Sequence, residues 1–442
     1  MAGPEARLFG TDGVRGPVGE LLDAQLAMAL GRAAAALVEP PRPRVLVVRD
    51  TRESGPALES AFASGAASSG ADVYLTGVLP TPAAPILASL YSFDLAAVIS
   101  ASHNPFTDNG IKLFGANGRK LDDGAELAIE RAVVSEEGGP SEEEEWGRVE
   151  RLNTAEADYR RAVLDRYRLD LSGMRIALDC ANGATFRVAP EVFRQLGAEV
   201  ATLYADPDGR NINLGCGSTH TESLAETVRD GGFDIGFAFD GDGDRMLAVD
   251  RTGEVRDGDE VMALVALERS RAGTLGGGVV VTVMTNHGFH RAMGDAGIEV
   301  EITPVGDRHV IEALDRLGWI LGGEQSGHVI STDYAPTGDG LASALALLEA
   351  LDGEDLAEAS PMTRLPQELI NVPVADQTSL EENGAVKAAI EAVEDELGGE
   401  GRVLVRPSGT EPLVRVMVEA RTGEEATRIC RRLADAVESE LG

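Results

Sequence analysis

Three stretches of the chain repeat one plan of apolar and polar positions. Arg44-Val-Leu-Val-Val-Arg-Asp50 is a short apolar run ending in a turn, and Leu95-Ala-Ala-Val-Ile99 is a second, followed by Ser-Ala-Ser-His-Asn-Pro. Arg175-Ile-Ala-Leu-Asp179 opens the next stretch, whose later run Asp234-Ile-Gly-Phe-Ala-Phe239 ends in Asp-Gly-Asp-Gly-Asp. Val279-Val-Val-Thr-Val-Met284 opens the third, whose later run Trp319-Ile-Leu-Gly322 ends in Gly-Glu-Gln-Ser-Gly-His. Near-continuous apolar runs of this length predict strands buried on both faces. Helical patterns lie between them, as from Pro56 to Ser69 and from Leu224 to Arg229. Strand, helix, strand predicts mainly parallel mixed sheets, and such sheets place ligand sites beyond the carboxyl ends of their strands. The chain therefore reads as three similar α/β domains, each giving one polar loop to a shared central cleft.

The tail follows another plan. The segment from Val403 to Val418 alternates as strand, loop, strand, and Glu424 to Leu441 reads as an amphipathic helix. This predicts a smaller α+β C-terminal domain. A helix from about Thr154 to Leu169 bridges the first two domains, and the acidic run Ser141-Glu-Glu-Glu-Glu145 reads as a solvated loop. A chain of 442 residues exceeds what one hydrophobic core supports. The expected boundaries are 1–153 with the Ser102 loop, 154–254 with the Asp240 loop, 255–368 with the Glu324 loop, and 369–442 with the Arg406 loop.

Charge narrows the partners. The formal net charge of −35 argues against nucleic acid, whose phosphates the surface would repel. A local group of Arg still leaves room for a small phosphorylated substrate. Only Lys112, Lys120 and Lys387 are lysines. Abundant carboxylate with scarce Lys reads as adaptation to high salt, which screens self-repulsion. A GC-rich genome explains the missing Lys but not the acids. Cys180, Cys216 and Cys430 form no CxxC pair, which suits a reducing cytoplasm and argues against a disulfide framework or zinc. The N-terminus lacks an apolar signal region and no run is long enough to span a bilayer, so a cytoplasmic protein with no membrane partner is expected.

Asp240-Gly-Asp-Gly-Asp-Arg245 is the strongest chemical signal. Alternate Asp residues project to one side of an extended segment, and converging carboxylates need a hard cation such as Mg²⁺. A calcium EF-hand also begins Asp-x-Asp-x-Asp, but Arg245 stands where it needs Gly and Arg251 where it needs Glu. Ser100-Ala-Ser-His-Asn-Pro105 offers Ser102 beside His103, although Ser, Asn and Pro mark a turn equally well. A Ser-His-Asp hydrolase is a second reading, but the segment has no G-x-S-x-G elbow. Downstream, Asp108-Asn-Gly-Ile-Lys112 supplies a candidate proton carrier or a surface lysine. Arg406-Pro-Ser-Gly-Thr-Glu-Pro-Leu-Val-Arg415 is dense in donors and reads as an anion cradle, with a plain hairpin turn as the alternative. Glu324 and Ser326 are candidate partners for hydroxyls, and Thr303-Pro-Val-Gly-Asp-Arg308 is a weaker candidate loop.

Taken in order, Phe9-Gly-Thr-Asp-Gly-Val-Arg-Gly16, Ser102-His-Asn-Pro105, Asp108 to Lys112, Asp240 to Arg245, Gly323-Glu-Gln-Ser-Gly-His328 and Arg406 to Pro412 resemble the motifs of the α-D-phosphohexomutase family over the whole chain. Asn211-Ile-Asn213, Cys216-Gly-Ser-Thr-His220 and Gln325 resemble its phosphoglucosamine mutase branch. The resemblance implies four domains around a central cleft and a phosphorylated Ser102. It implies one Mg²⁺ per chain held by Asp240, Asp242 and Asp244 with Ser102, and proton transfer assisted by Lys112 and His103. Arg15 and Arg245 match positions near the reacting phosphate. Glu324 and Ser326, with Thr303 and Gly306, match the sugar loop, and Arg406, Ser408, Gly409, Thr410 and Arg415 match the distal phosphate site. The implied reaction interconverts glucosamine 6-phosphate and glucosamine 1-phosphate through a bisphosphorylated hexose, towards UDP-N-acetylglucosamine. The alternative is the same chemistry on mannose or glucose phosphates. The expected partner is a hexose phosphate and the expected assembly a monomer or homodimer.

Overall fold

The computed structural model describes residues 7–10, 12–39, 42–135, 146–374, 380, 383–408 and 413–442. The acidic run 141–145 lies outside the described residues, as do Gly409 and Thr410. The chain divides into two compact units, Met1–Met284 with Ile298–Ser360, and Thr285–Gly297 with Pro361–Gly442.

The larger unit holds three mixed sheets. The first contains β1 (Val14–Pro17), β2 (Arg44–Arg49), β3 (Asp72–Val78), β4 (Leu95–Ile99), β5 (Asp108–Gly115) and β6 (Val149–Arg151), in the order β1-β5-β4-β2-β3-β6. Strand β2 runs parallel to β3 and β4, while β5 is antiparallel to β4 and β1. The second contains β7 (Arg175–Asp179), β8 (Glu199–Leu203), β9 (Ile235–Phe239), β10 (Met246–Asp250) and β11 (Val255–Arg256), in the order β11-β10-β9-β7-β8. The third contains β12 (Val279–Thr282), β13 (Val300–Thr303), β14 (Leu321–Gly323) and β15 (Val329–Ser331), in the order β13-β12-β14-β15. In both, the strands before the polar loops are parallel to the opening strand: β9 to β7 and β14 to β12. Every residue of β4 and β9 is buried, as the unbroken apolar runs require. The core of the first sheet is aliphatic, with Val45, Val47 and Leu95 packed near Phe62.

The predicted helices form with small shifts. The helix predicted at 56–69 spans Gly55–Ser68, and the one at 224–229 extends to Glu222–Gly231. The bridging helix Ala155–Arg166 stops before Leu169, because Tyr167 turns to an extended conformation and is buried.

In the smaller unit, β16 (Gln367–Pro373), β17 (Arg402–Pro407) and β18 (Leu413–Glu419) form an antiparallel sheet in the order β16-β18-β17. Helices Gly384–Leu397 and Gly423–Leu441 share its core through Val386, Val414, Ile429 and Leu433. Helix His287–Asp295 joins this unit. The Asn286 side chain donates to the Leu365 carbonyl at 3.0 Å, and the His287 N–H donates to Glu419 at 2.7 Å.

Asp339 ties two elements of the larger unit together. It caps helix Gly340–Leu351 by accepting from the Ala342 N–H at 3.0 Å, and it accepts from the Tyr159 hydroxyl at 2.9 Å. Burial pushes its carboxyl up to about 6, against these hydrogen bonds. A raised folded-state value favours the protonated fold, so this contribution is full below the unfolded value and is lost as pH rises through about 6. Asp339→Asn is neutral at every pH. Its stability deficit relative to the parent should therefore shrink by about 2–3 kcal/mol between about pH 4 and about pH 7.5. Paired melting curves across that range check this, and a deficit independent of pH contradicts it.

Candidate active site

The loop after β4 is held from beneath by buried polar groups. Ser102 has φ 49, in the left-handed region, where a non-glycine residue costs on the order of 1 kcal/mol and persists only if its surroundings fix it. Its N–H donates to Ser100 Oγ at 3.0 Å, and Ser100 Oγ donates to Asp50 at 2.7 Å. Its carbonyl accepts from Arg52 and from Asn213, each at 2.8 Å. Arg52 is fully buried and is anchored to Asp50 at 2.8 Å. It also donates to the carbonyls of Asn104 at 2.8 Å and Asp108 at 3.0 Å, and to that of Pro105. One guanidinium thus gathers the carbonyls of a whole loop. Removing it takes their shared donor away and leaves the buried Asp50 carboxylate without its cation, so Arg52→Met should cost about 3–5 kcal/mol of stability and lower turnover with it. Melting curves and turnover together check this; wild-type values for both refute the clamp.

The metal loop meets this loop directly. Asp240, which follows β9, accepts from Ser102 Oγ at 2.6 Å across a sequence separation of 138 residues. Close approach requires the intervening glycine, since a Cβ at Gly241 would lie 2.6 Å from the Ser102 carbonyl and from the Asn213 side chain. Asp240, Asp242 and Asp244 are all buried, with ligand oxygens within 4.8 Å of one another. Burial, together with Asp244 and Asp242, pushes Asp240 well above the ordinary carboxylate range. Burial also raises Asp244, but His328, Lys112 and Arg245 outweigh it and hold that carboxyl below the range. Asp242 Oδ1 and Asp244 Oδ1 are buried without a hydrogen-bond partner among the described residues. Three convergent carboxylates with unshared buried oxygens fit a hard divalent cation such as Mg²⁺.

The predicted proton carriers and arginines lie on the same side. Lys112, on β5, is buried with Nζ 2.9 Å from Asp12, 3.1 Å from Asp242 and 3.7 Å from Asp244. Burial opposes its charge, but Asp12, Asp242 and Asp244 reverse this and hold the ammonium well above its ordinary range. His103 Nδ1 is 3.3 Å from Ser102 Oγ. Burial, with Arg245 and Arg15, lowers its imidazole to about 4, so it is neutral near pH 7. Arg15, on β1, donates to the Ala101 carbonyl, and Arg245 Nε lies 3.9 Å from Asp244 Oδ1. The Nε donors of both arginines are buried and unpartnered among the described residues. The group therefore offers an oxygen nucleophile, a cation site, proton-bearing nitrogens and spare anion donors.

The third loop completes this side of the unit. Glu324, after β14, accepts from the Gly306 N–H at 3.0 Å, and Ser326 is exposed. Gly306 takes φ 128, which favours glycine. The Thr303 hydroxyl is buried and donates to the carbonyls of Val281 at 3.2 Å and Pro304 at 3.1 Å, so it braces its own loop. His328, buried in the same segment, has Nδ1 3.7 Å from Asp244 Oδ1. Sequence reasoning quoted His328, Asp50, Ser100, Asn213 and Asp12 only inside motifs, without a role, and passed over Arg52. The available signal was position: Asp50 and Arg52 also sit beyond the carboxyl end of a buried parallel strand.

In the smaller unit, Arg406 on β17 stands opposite Arg415 on β18. Burial, with Arg415, lowers the Arg406 guanidinium below its ordinary range. Ser408 is buried beside them in sequence. Two guanidinium groups placed opposite each other across a ladder supply forked donors suited to an anion.

Four family descriptions match the chain in order: phosphoglucomutase/phosphomannomutase alpha/beta/alpha domain I over residues 6–138, domain II over 157–253, domain III over 257–369, and the C-terminal domain over 369–436. The phosphoglucosamine mutase of Moorella thermoacetica is 49% identical over 431 residues, covering 96% of this chain and 97% of that protein. The phosphoglucosamine mutase of Frankia alni is 48% identical over 449 residues, covering 98% and 99%. Among solved structures, a phosphoglucomutase/phosphomannomutase family protein from Burkholderia thailandensis aligns with TM-score 0.83 at 25% identity, over 98% of this chain and 97% of that one.

Proposed function

The chain belongs to the phosphoglucomutase/phosphomannomutase family, and we propose that it interconverts glucosamine 6-phosphate and glucosamine 1-phosphate through a phosphoserine at Ser102 and a bisphosphorylated sugar. The observation that carries the reading is Ser102 Oγ at 2.6 Å from Asp240, in the buried carboxylate triad. The names of two relatives at 48–49% identity over nearly the whole chain support the choice of sugar.

Ser102 gives its phosphoryl group to one sugar hydroxyl, and the bisphosphate turns over and returns its other phosphoryl group to Ser102. Such transfers need little covalent help, so positioning and charge dominate. Asp240, Asp242 and Asp244, with the seryl phosphate, would hold one Mg²⁺, which neutralises charge on the phosphoryl oxygens when bound. Arg15 and Arg245 offset the remaining charge. Lys112 enters as a protonated ammonium held by three carboxylates, while neutral His103 beside Ser102 is a proton acceptor. These two groups move the hydroxyl proton. Glu324 and Ser326 grip sugar hydroxyls on a loop shaped by Thr303 and Gly306. Arg406, Ser408, Gly409, Thr410 and Arg415 take the distal phosphate of either end.

Among the described residues no helix is long and apolar enough to cross a membrane. Turnover of glucosamine, glucose and mannose 6-phosphates tests the substrate. Glucosamine 6-phosphate should lead by about tenfold or more in kcat/KM. A lead for glucose or mannose overturns the sugar, and release of free phosphate in place of sugar 1-phosphate overturns the mutase reaction.

A further inference from the structure

Two of the three lysines in this chain share one carboxylate. Asp12 Oδ2 is 2.9 Å from Lys112 Nζ, and Asp12 Oδ1 is 2.6 Å from Lys120 Nζ. Lys120 Nζ is also 2.6 Å from Asp307, the first residue of helix Asp307–Leu317. Asp307 lies 3.9 Å from His328 Nε2, and His328 Nδ1 lies 3.7 Å from Asp244. Lys112 closes the ring at 3.1 Å from Asp242 and 3.7 Å from Asp244. The ring joins side chains from the loops of all three sheets of the larger unit. Lys120 is set by the backbone, where an isolated antiparallel bridge to Phe114 folds it back beside β5. Its side chain is only 12% exposed.

We propose that Lys120 is a positioning residue for Lys112, acting through the shared Asp12 carboxylate. The proposal rests on the reading of Lys112 as a proton carrier. One oxygen of Asp12 serves each ammonium, so the carboxylate cannot turn fully towards Lys112 while Lys120 holds its other oxygen. Without Lys120, both oxygens of Asp12 compete with Asp242 for Lys112, and Nζ leaves its place beside the metal loop. A compact ammonium suits this site because it sits between two carboxylate oxygens at 2.6 Å each. A planar guanidinium needs a wider, forked arrangement, which explains lysine here in a chain whose basic residues are mostly arginine.

The test is Lys120→Cys followed by aminoethylation with 2-bromoethylamine, which rebuilds an ammonium on a side chain of lysine length. The introduced thiol lines an open cavity of about 840 Å³, whereas Cys180, Cys216 and Cys430 are buried, so the reagent has one accessible target. Lys120→Cys should lower kcat roughly 10- to 100-fold with KM for the sugar phosphate within about twofold, and aminoethylation should recover most of the loss. Unchanged kcat, a matching rise in KM, or a loss that aminoethylation does not repair overturns the proposal. Lys112→Met is run in parallel to separate the two failures. If Lys112→Met keeps turnover, the proton-carrier reading fails and the proposal with it. If Lys112→Met is inactive while Lys120→Cys is unaffected, only the positioning role fails.

Discussion

Ser102→Ala should lower turnover by at least about 10⁴-fold while leaving sugar-phosphate affinity within a few-fold of the parent. The two effects separate because the side chain and backbone of Ser102 do different work. Its hydroxyl is the atom against Asp240, whereas its N–H and carbonyl hold the loop to Ser100, Arg52 and Asn213. Alanine keeps every backbone bond and adopts φ 49 at much the same cost as serine. Asp240 loses one hydrogen-bond donor and no other contact, so the fold should lose no more than about 1–3 kcal/mol. Steady-state kinetics with calorimetric binding checks the split. Wild-type turnover in the variant removes Ser102 from the reaction.

Chelation should abolish turnover, by about 10³-fold or more, and Mg²⁺ should restore it. The same ion should raise the melting temperature. Asp240, Asp242 and Asp244 are buried within 4.8 Å of one another, so the fold carries their mutual repulsion until a cation offsets it. A ligand at about 100 times its Kd adds about 2.7 kcal/mol to the folded state. Asp242→Asn should lose both responses, because it removes charge from the triad and from the partner of Lys112 and Thr81. Melting curves with and without Mg²⁺ on parent and variant check this. An equal thermal shift in both places the cation elsewhere.

Much of this was legible in the sequence because strong local patterns survive folding. β4 and β9 are buried on both faces, so their apolar runs have no competing reading. Asp-Gly-Asp-Gly-Asp after such a strand puts three carboxylates at the sheet's carboxyl end. Arg52 was not legible. An arginine in a polar loop reads as a surface residue, and its burial depends on the carbonyls of a loop about fifty residues away. The Thr303 hydroxyl donates to the carbonyls of Val281 and Pro304, a use set by burial rather than residue type. Helix His287–Asp295 follows a strand of the third sheet in sequence but joins the tail unit, through pairings with Leu365 and Glu419 that no periodicity encodes. Long-range polar pairing is the common element in these cases.

The most direct measurement is a single-turnover chase of protein carrying radiolabelled phosphate. Peptide mapping before the chase should find the label on Ser102, and excess glucosamine 1-phosphate should carry it off within one turnover as sugar phosphate. Label found on another residue, or label on Ser102 that the sugar leaves in place, contradicts a phosphoryl relay at this serine.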